Sequence, residues 1–249
     1  MNVEYLSASR IKTFETCALK YHAIYNLQQV EEVHVAARFG SAVHRMMEKA
    51  TLALMTKAGS TNPLDYKVAS CGEFSVETEY WGLIDSLVAN ALGWGYFRNI
   101  GRTKGVEVEF LFELEDGTNV KGFIDRLDVF GGTADIIDLK TQKNAFEPSE
   151  LTGNWQARIY NVAVRKKFPE VTEKLSVSFW VLRHRVQRVY LTAEDAERDC
   201  VVLMDKAREI RACSNPRPSP SGLCRFCLYR EQCPSTGIRA LASGKGVRI

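Results

Sequence analysis

Nowhere in the 249 residues is there an unbroken run of about 18 apolar residues, the least that a membrane-spanning helix requires, so no membrane is expected as a partner. The opening residues, MNVEYLSASR, lack the charged-then-apolar layout of an export signal, and the expected compartment is the cytoplasm. Charge of one sign is nearly absent in excess: 33 Lys and Arg against 30 Asp and Glu leave +3. A balance so slight permits a polyanionic partner without demanding one, because local patches matter more than the total. There is no internal repeat. What is present, 45% hydrophobic and 25% charged residues, is ordinary globular material that excludes disorder as the default and suffices for one large core or two small ones.

Seven cysteines occupy positions 17, 71, 200, 213, 224, 227 and 233. In a chain read as cytosolic they argue against a disulfide framework and towards metal binding, since the cytosol keeps thiols reduced. Three of them form C-x2-C-x5-C in CRFCLYREQC. Cys71, Cys200 and Cys213 are scattered and read as small buried apolar residues.

The period of the hydrophobic pattern divides the chain. SASRIKTFETCALKYHAIYNL, capped by Ser7 or Ser9, repeats apolar residues at helical spacing (Ile11, Phe14, Ala18, Tyr21, Tyr25) and predicts a helix. Further helices are expected over about 40–57 and 75–97, separated by the loop KAGSTNPLDY. From Val106 the period becomes alternating: VEVEFLFEL, NVKGFIDRLDVF and TADIIDLKT, joined by EDGT and GG turns, predict a three-stranded meander. Residues 147–167 return to helix, KLSVSFWVLRH and VQRVYL supply two more strands, and a helix over about 193–212 follows. SNPRPSPSG is a linker and ALASGKGVRI a frayed tail. The expected fold class is α/β, a mixed sheet of about five strands flanked by helices on both faces. The expected organisation is a single domain over 1–249, with a helical region at 1–100, a core at 101–212 and the cysteine segment at 213–249.

A two-residue turn at Gly131 and Gly132 places Phe130 against Thr133, and counting back along both strands sets Asp125 opposite Asp138, with Lys140 on the same face. Two bare carboxylates at cross-strand distance repel, so a cation should sit between them, and a hard divalent ion such as Mg2+ or Mn2+ suits these ligands. The same register opposes Asp128 and Asp135 on the other face, read as a solvated pair. His44 in FGSAVHRMME can complete a carboxylate metal site. Gln156 and Tyr160 share a helix face at i, i+4, where amide and phenol could hold a phosphate or a water. Glu107 and Glu109 alternate along the first strand and either could touch the metal shell. Arg158, Lys166, Lys167, Arg183, Arg185 and Arg188 are candidates for tracking phosphates, and Trp155 and Tyr160 for stacking bases or filling the core.

Taken in order, LSASRIKTFETCALKY, GSAVH, GFIDRLD, IIDLKT, QARIY and the terminal C-x2-C-x5-C resemble the PD-(D/E)XK nuclease superfamily, in its RecB/AddB-like branch of iron–sulfur CRISPR-adaptation nucleases and phage exonucleases. The match runs nearly end to end. It departs from the pattern where Asp138 stands in place of the Glu of many members. The resemblance implies a restriction-endonuclease-like core and a metal-dependent DNase, an exonuclease on single strands or duplex ends. It implies a catalytic metal on His44, Asp125, Asp138 and the backbone carbonyl of Leu139, with Lys140 orienting the attacking water and Glu107 favoured over Glu109 in the first-strand acidic role. It also implies that Cys17 joins Cys224, Cys227 and Cys233 around a [4Fe-4S] cluster in a helical subdomain. Spacing alone leaves Zn2+ open at those four thiolates. DNA is the implied partner, together with a recombination or CRISPR-adaptation protein. A catalytically silent DNA-binding or assembly subunit of the same fold, and a zinc-stapled interaction module, are the alternatives. Loss of a metal carboxylate or of the lysine would mark the silent form, and Asp125, Asp138 and Lys140 are all present.

Overall fold

The computed structural model describes residues 1–29, 33–227, 229–231 and 233–235. Among them the chain order is α1 (Ala8–Thr16), α2 (Ala18–Tyr21), α3 (Val35–Thr56), α4 (Lys67–Glu73), α5 (Trp81–Gly93), β1 (Thr103–Glu113), β2 (Asn119–Phe130), β3 (Thr133–Lys140), α6 (Pro148–Thr152), α7 (Trp155–Lys167), β4 (Leu175–Val181), β5 (Arg185–Leu191) and α8 (Ala193–Ala212). The tail ALASGKGVRI lies outside the described residues.

The five strands form one mixed sheet in the order β1-β2-β3-β4-β5. β1, β2 and β3 are an antiparallel meander, β3 and β4 run parallel, and β4 and β5 pair antiparallel. The parallel step demands a crossover, and α6 and α7 supply it. Alternate residues of the central strand enter two cores. Ala134 and Ile136 join the cluster under α1, α7 and α8, while Ile137 and Leu139 join the cluster under α3, α4 and α5. A strand covered on both faces reads as a near-continuous apolar run, which is why IIDL is hydrophobic throughout except for Asp138.

Several helices differ from the expectation, each for a local reason. The helix expected over 7–27 is broken at Cys17, whose backbone is extended (φ −165°, ψ 110°). Thr13 and Thr16 bond back to the carbonyls of Ser9 and Lys12 at 2.8 and 2.7 Å, a pattern that loosens and bends a helix end. Beyond the break, α2 passes into a π-helical stretch at His22–Asn26. α3 begins five residues earlier than its apolar stripe suggests because His34 Nδ1 accepts the Ala36 N–H at 3.1 Å and caps it. α4 stands as an additional helix between the loop KAGSTNPLDY and the third expected helix, which is shorter than expected and forms α5. The helix expected over 147–167 divides where Asn154 caps α7, accepting the Gln156 and Ala157 N–H groups.

The N-terminus lies against β2 and the end of α8. Leu6 pairs with β2 (Leu6 N–H to Asn119 O at 2.7 Å), and the Met1 amine donates to the carbonyls of Arg211 and Cys213. Of the three scattered cysteines only Cys71 is fully buried; Cys200 and Cys213 are partly exposed against the core edge.

Candidate metal centre

The β2–β3 ladder runs from Phe130↔Thr133 to Arg126↔Ile137, and Gly131 takes the positive φ (+59°) that the tight turn needs. One step further, where Asp125 was expected to face Asp138 across the ladder, the pairing stops. The Leu139 N–H donates instead to Asp125 Oδ2 at 2.7 Å. The two carboxylates are therefore neighbours at an opening fork and not a ladder pair. Asp128 does oppose Asp135, but of the expected solvated pair only Asp135 keeps partial access to water. Asp128 is buried against the Arg126 guanidinium (2.7 and 2.8 Å), and Asp135 accepts from Ser176 and Ser178. A charge taken from water needs such partners.

Three donors converge from three elements. α3 brings His44, whose Nδ1 lies 3.3 Å from Asp125 Oδ2 on β2. β1 brings Glu107, held at a left-handed φ of +46° in mid-strand. Their ligand atoms and that of Asp125 all lie within 4.8 Å of one another. A non-glycine residue strained in this way costs of order 1–3 kcal/mol and persists only where its surroundings impose it. The strain also interrupts the alternation that would have put Glu109 alongside. Glu109 pairs with Lys121 at 2.9 Å and is not in this group. The three donors open into a cleft of about 410 Å³ that Ser41, Arg45 and Glu48 of α3 also line.

Asp138 occupies the other flank and is 1% exposed. Its Oδ2 lies 2.5 Å from the Lys140 ammonium, and Gln156 Nε2 donates to its Oδ1 at 3.1 Å. The Tyr160 hydroxyl has one proton to offer between the Phe123 carbonyl (2.8 Å) and Asp138 Oδ1 (3.1 Å), and receives the second Gln156 N–H. The i, i+4 pair on α7 thus grips a carboxylate.

Charges couple across the fork. Burial by itself would lower the His44 pKa, but the Asp125 charge and hydrogen bond, with Asp138 beyond, raise it to about 9. Glu107 is pushed up to about 7, first by burial and then by the neighbouring Asp125 charge. Burial would raise Asp125 as well, yet the His44 charge and hydrogen bond hold it below the ordinary carboxylate value, helped by Lys140 and the Leu139 N–H. Asp138 is raised by burial, against the pull of Lys140, and Asp125 pushes it the same way. Burial, with Asp138 next, raises Tyr160 far above its usual range. Two carboxylates and an imidazole crowded so closely could serve as donors to a hard divalent cation, whose charge would offset both the burial and the Asp125 charge that raise Glu107.

Most of the basic residues expected to track phosphates are engaged by the fold. Arg158 pairs with Asp199 at 2.6 Å, Lys167 donates to the Glu109 carbonyl, Arg183 to the Thr141 carbonyl and Arg188 to Ser178. Lys12 and Lys121, which are not among those candidates, line with Phe123 a second groove of about 680 Å³ on the Lys140 side of the centre. The alternation of 121, 123 and 125 along β2 was the signal that could have found two of them.

Among the described residues, His44, Glu107 and Asp125 are the one set of three or more His, Cys, Asp and Glu donors so tightly grouped. No three of Cys17, Cys224, Cys227 and Cys233 form such a group among the described residues. Backbone bonds link Cys224, Cys227, Arg230 and Cys233 at three-residue intervals (Cys227 N–H to Cys224 O at 3.2 Å, Arg230 N–H to Cys227 O at 3.1 Å, Cys233 N–H to Arg230 O at 3.3 Å). The segment leans on the N-terminal region: the Tyr229 hydroxyl donates to the Gln29 carbonyl at 3.0 Å, and Phe226 meets His34 edge-on.

The model of the PD-(D/E)XK nuclease superfamily matches residues 5–234. A crystal structure from Eubacterium rectale, named "Putative exonuclease", superposes with a TM-score of 0.57 over 92% of this chain and 88% of that chain at 15% identity, a likeness that speaks to fold alone. A second solved structure, SSO0001, covers 88% of this chain and 95% of its own at 16% identity, but its TM-score of 0.37 carries no argument. No curated protein matches the chain. No helix among the described residues is long and apolar enough to cross a membrane.

Proposed function

The chain belongs to the PD-(D/E)XK nuclease superfamily, and from that premise we propose that it is a Mg2+- or Mn2+-dependent deoxyribonuclease of the RecB/AddB-like branch, an exonuclease. The observation that carries this reading is the meeting of His44, Glu107 and Asp125 beside the Asp138–Lys140 ion pair. Exonuclease action also finds support in the name of the Eubacterium rectale structure that shares the fold.

His44, Asp125, Asp138 and the Leu139 carbonyl would hold the ion, with Glu107 closing the set. Bound there, a divalent ion supplies a Lewis acid for the scissile phosphate and lowers the pKa of a water. The remaining work falls to side chains. Gln156 and Tyr160 fix one oxygen of Asp138, so that the other faces Lys140 in a single orientation. The Lys140 ammonium, partly exposed at the groove, is placed to orient the attacking water and to offset the negative charge that develops on the phosphate. His44 and Asp125 fix each other through their shared hydrogen bond. A silent binding subunit would have no use for a lysine held 2.5 Å from a buried carboxylate at an open fork.

Cys17, Cys224, Cys227 and Cys233 are proposed to bind a [4Fe-4S] cluster that clasps the segment 213–249 to the helical region over 1–100, leaving 101–212 as the catalytic core; Zn2+ is the alternative metal. The contacts of Tyr229 and Phe226 with residues 29 and 34 support this closure.

The test is a time course on end-labelled DNA with Mg2+ or Mn2+, beside Asp138→Asn and Lys140→Ala. The wild type should release mononucleotides or short products, and both variants should lose at least about a hundredfold in rate while melting cooperatively. Equal activity in wild type and Asp138→Asn would sink the assignment.

A further inference from the structure

We infer that the groove beside the metal centre takes one unpaired nucleic-acid strand, with a base laid flat on the ring of Phe123. The inference rests on the nuclease reading of the adjoining centre and names the form of its substrate.

Three observations carry it. The first is an aromatic ring left exposed where exposure is costly, its described ring partner being the Lys121 ammonium 6.0 Å from the centroid. Among the large apolar side chains that line the groove, Phe123 is the exposed one, at 48%, while Phe110, Ile159 and Tyr160 are buried. Its backbone is tied into the centre, because the Phe123 carbonyl accepts from Tyr160. Its neighbour Gly122 admits no side chain, since a Cβ there would lie 2.5 Å from the Phe110 ring.

The second is charge. The N-termini of α1 and α7 both open on the groove through Ser7 and Asn154, and neither helix has an acidic residue in its first turn to offset its positive end. Lys12, Lys121 and Lys140 add three ammonium groups. The two acids of the groove are already spoken for. Glu15 accepts from the Trp155 indole and pairs with Lys206, and Glu150 caps α6 by accepting the Glu147 N–H. The Lys121–Glu109 pair is exposed on both sides, an interaction weak enough for a phosphate to replace. A polyanion is the complementary occupant.

The third is register. Lys121, Phe123 and Asp125 occupy alternate positions of β2, spaced by about 6.8 Å. A strand lying along β2 would pass a cation, then an aromatic platform, then the metal centre, in steps close to one nucleotide of an extended chain. Inside a duplex both faces of every base are covered by neighbours, so only an unpaired base, or the last pair of a blunt end, can lie on Phe123. The stacking platform selects for the former when the strand continues past it towards Asp125.

The test is equilibrium binding in EDTA at fixed salt, which needs no turnover. Fluorescence anisotropy would follow a labelled single-stranded oligonucleotide and a blunt duplex of the same sequence, with 2-aminopurine at successive positions to report stacking. The expected result is that Phe123→Ala and Phe123→Leu weaken single-strand binding about tenfold, that Phe123→Trp restores it, and that duplex binding does not change. The 2-aminopurine quench at one position should vanish in the Ala variant. Equal single-strand binding by wild type and Phe123→Ala overturns the inference, and so does an equal loss for the blunt duplex, which would mean terminal-pair stacking. The wild type cleaving DNA with Mn2+ while Phe123→Ala binds normally would leave the nuclease reading standing without this one. The expected binding pattern from a protein that never cleaves would do the reverse.

Discussion

Protons should compete with metal at this centre, and the competition can be worked out from its geometry. A histidine donates to an ion only when neutral. Asp125, 3.3 Å from His44 Nδ1, together with Asp138 overrides the effect of burial and raises the His44 pKa to about 9. At pH 7 roughly one molecule in a hundred then has the ring neutral, and displacing the proton costs about 2.7 kcal/mol of binding. Glu107, pushed to about 7 by burial and by Asp125, holds a second proton below neutrality. The dissociation constant for Mn2+ should therefore fall about tenfold per pH unit from 7 to 9, more steeply below 7, and level off above 9. Isothermal titration calorimetry in pairs of buffers with different ionisation heats reads both the affinity and the protons released, close to one at pH 8. Glu107→Gln should remove the extra steepness below pH 7 and leave the slope above it. Without metal the sign reverses. The raised His44 contributes stability fully present below about 6.5 and lost as the pH climbs through about 9, so the metal-free protein should melt lower at pH 9.5 than at pH 7. A Mn2+ affinity that stays flat between pH 7 and 9, with no proton released, would refute the placement of His44 among the ligands.

Two further outcomes are expected. Arg126 is 0% exposed and donates to Asp128 and to the carbonyls of Tyr96 and Arg98, so Arg126→Met should strand the buried Asp128 carboxylate and lower the unfolding free energy by about 3–5 kcal/mol in urea titrations; a loss under about 1 kcal/mol would show that the ion pair is not what ties β2 to the turn before β1. Protein purified without oxygen should be brown, and Cys17→Ser, Cys224→Ser, Cys227→Ser or Cys233→Ser should each bleach it and lower its melting temperature, whereas colourless protein loaded stoichiometrically with zinc would put Zn2+ at the four thiolates.

The sequence by itself determined what depends on near neighbours. Alternation is a local signal, so NVKGFIDRLDVF and TADIIDLKT are legible as strands, and two glycines between them fix a register that holds for five successive pairs. An aspartate within IIDL is legible as a residue that must find a partner, because a strand apolar at all its neighbouring positions is buried on both faces. What the sequence left open is decided by which surface packs on which. Alternation made Glu107 and Glu109 equivalent, and only the tertiary structure, by forcing Glu107 to a positive φ, sends one to His44 and the other to Lys121. The spacing of Gln156 and Tyr160 showed that they share a face but not that the face closes on Asp138. Arg158, Arg183 and Arg188 looked as available for phosphate as Lys12 and Lys121, and the fold absorbed the first three while leaving the other two on a groove. A charge in a sequence carries its sign but not its partner, and partners are chosen only when distant elements exclude water together.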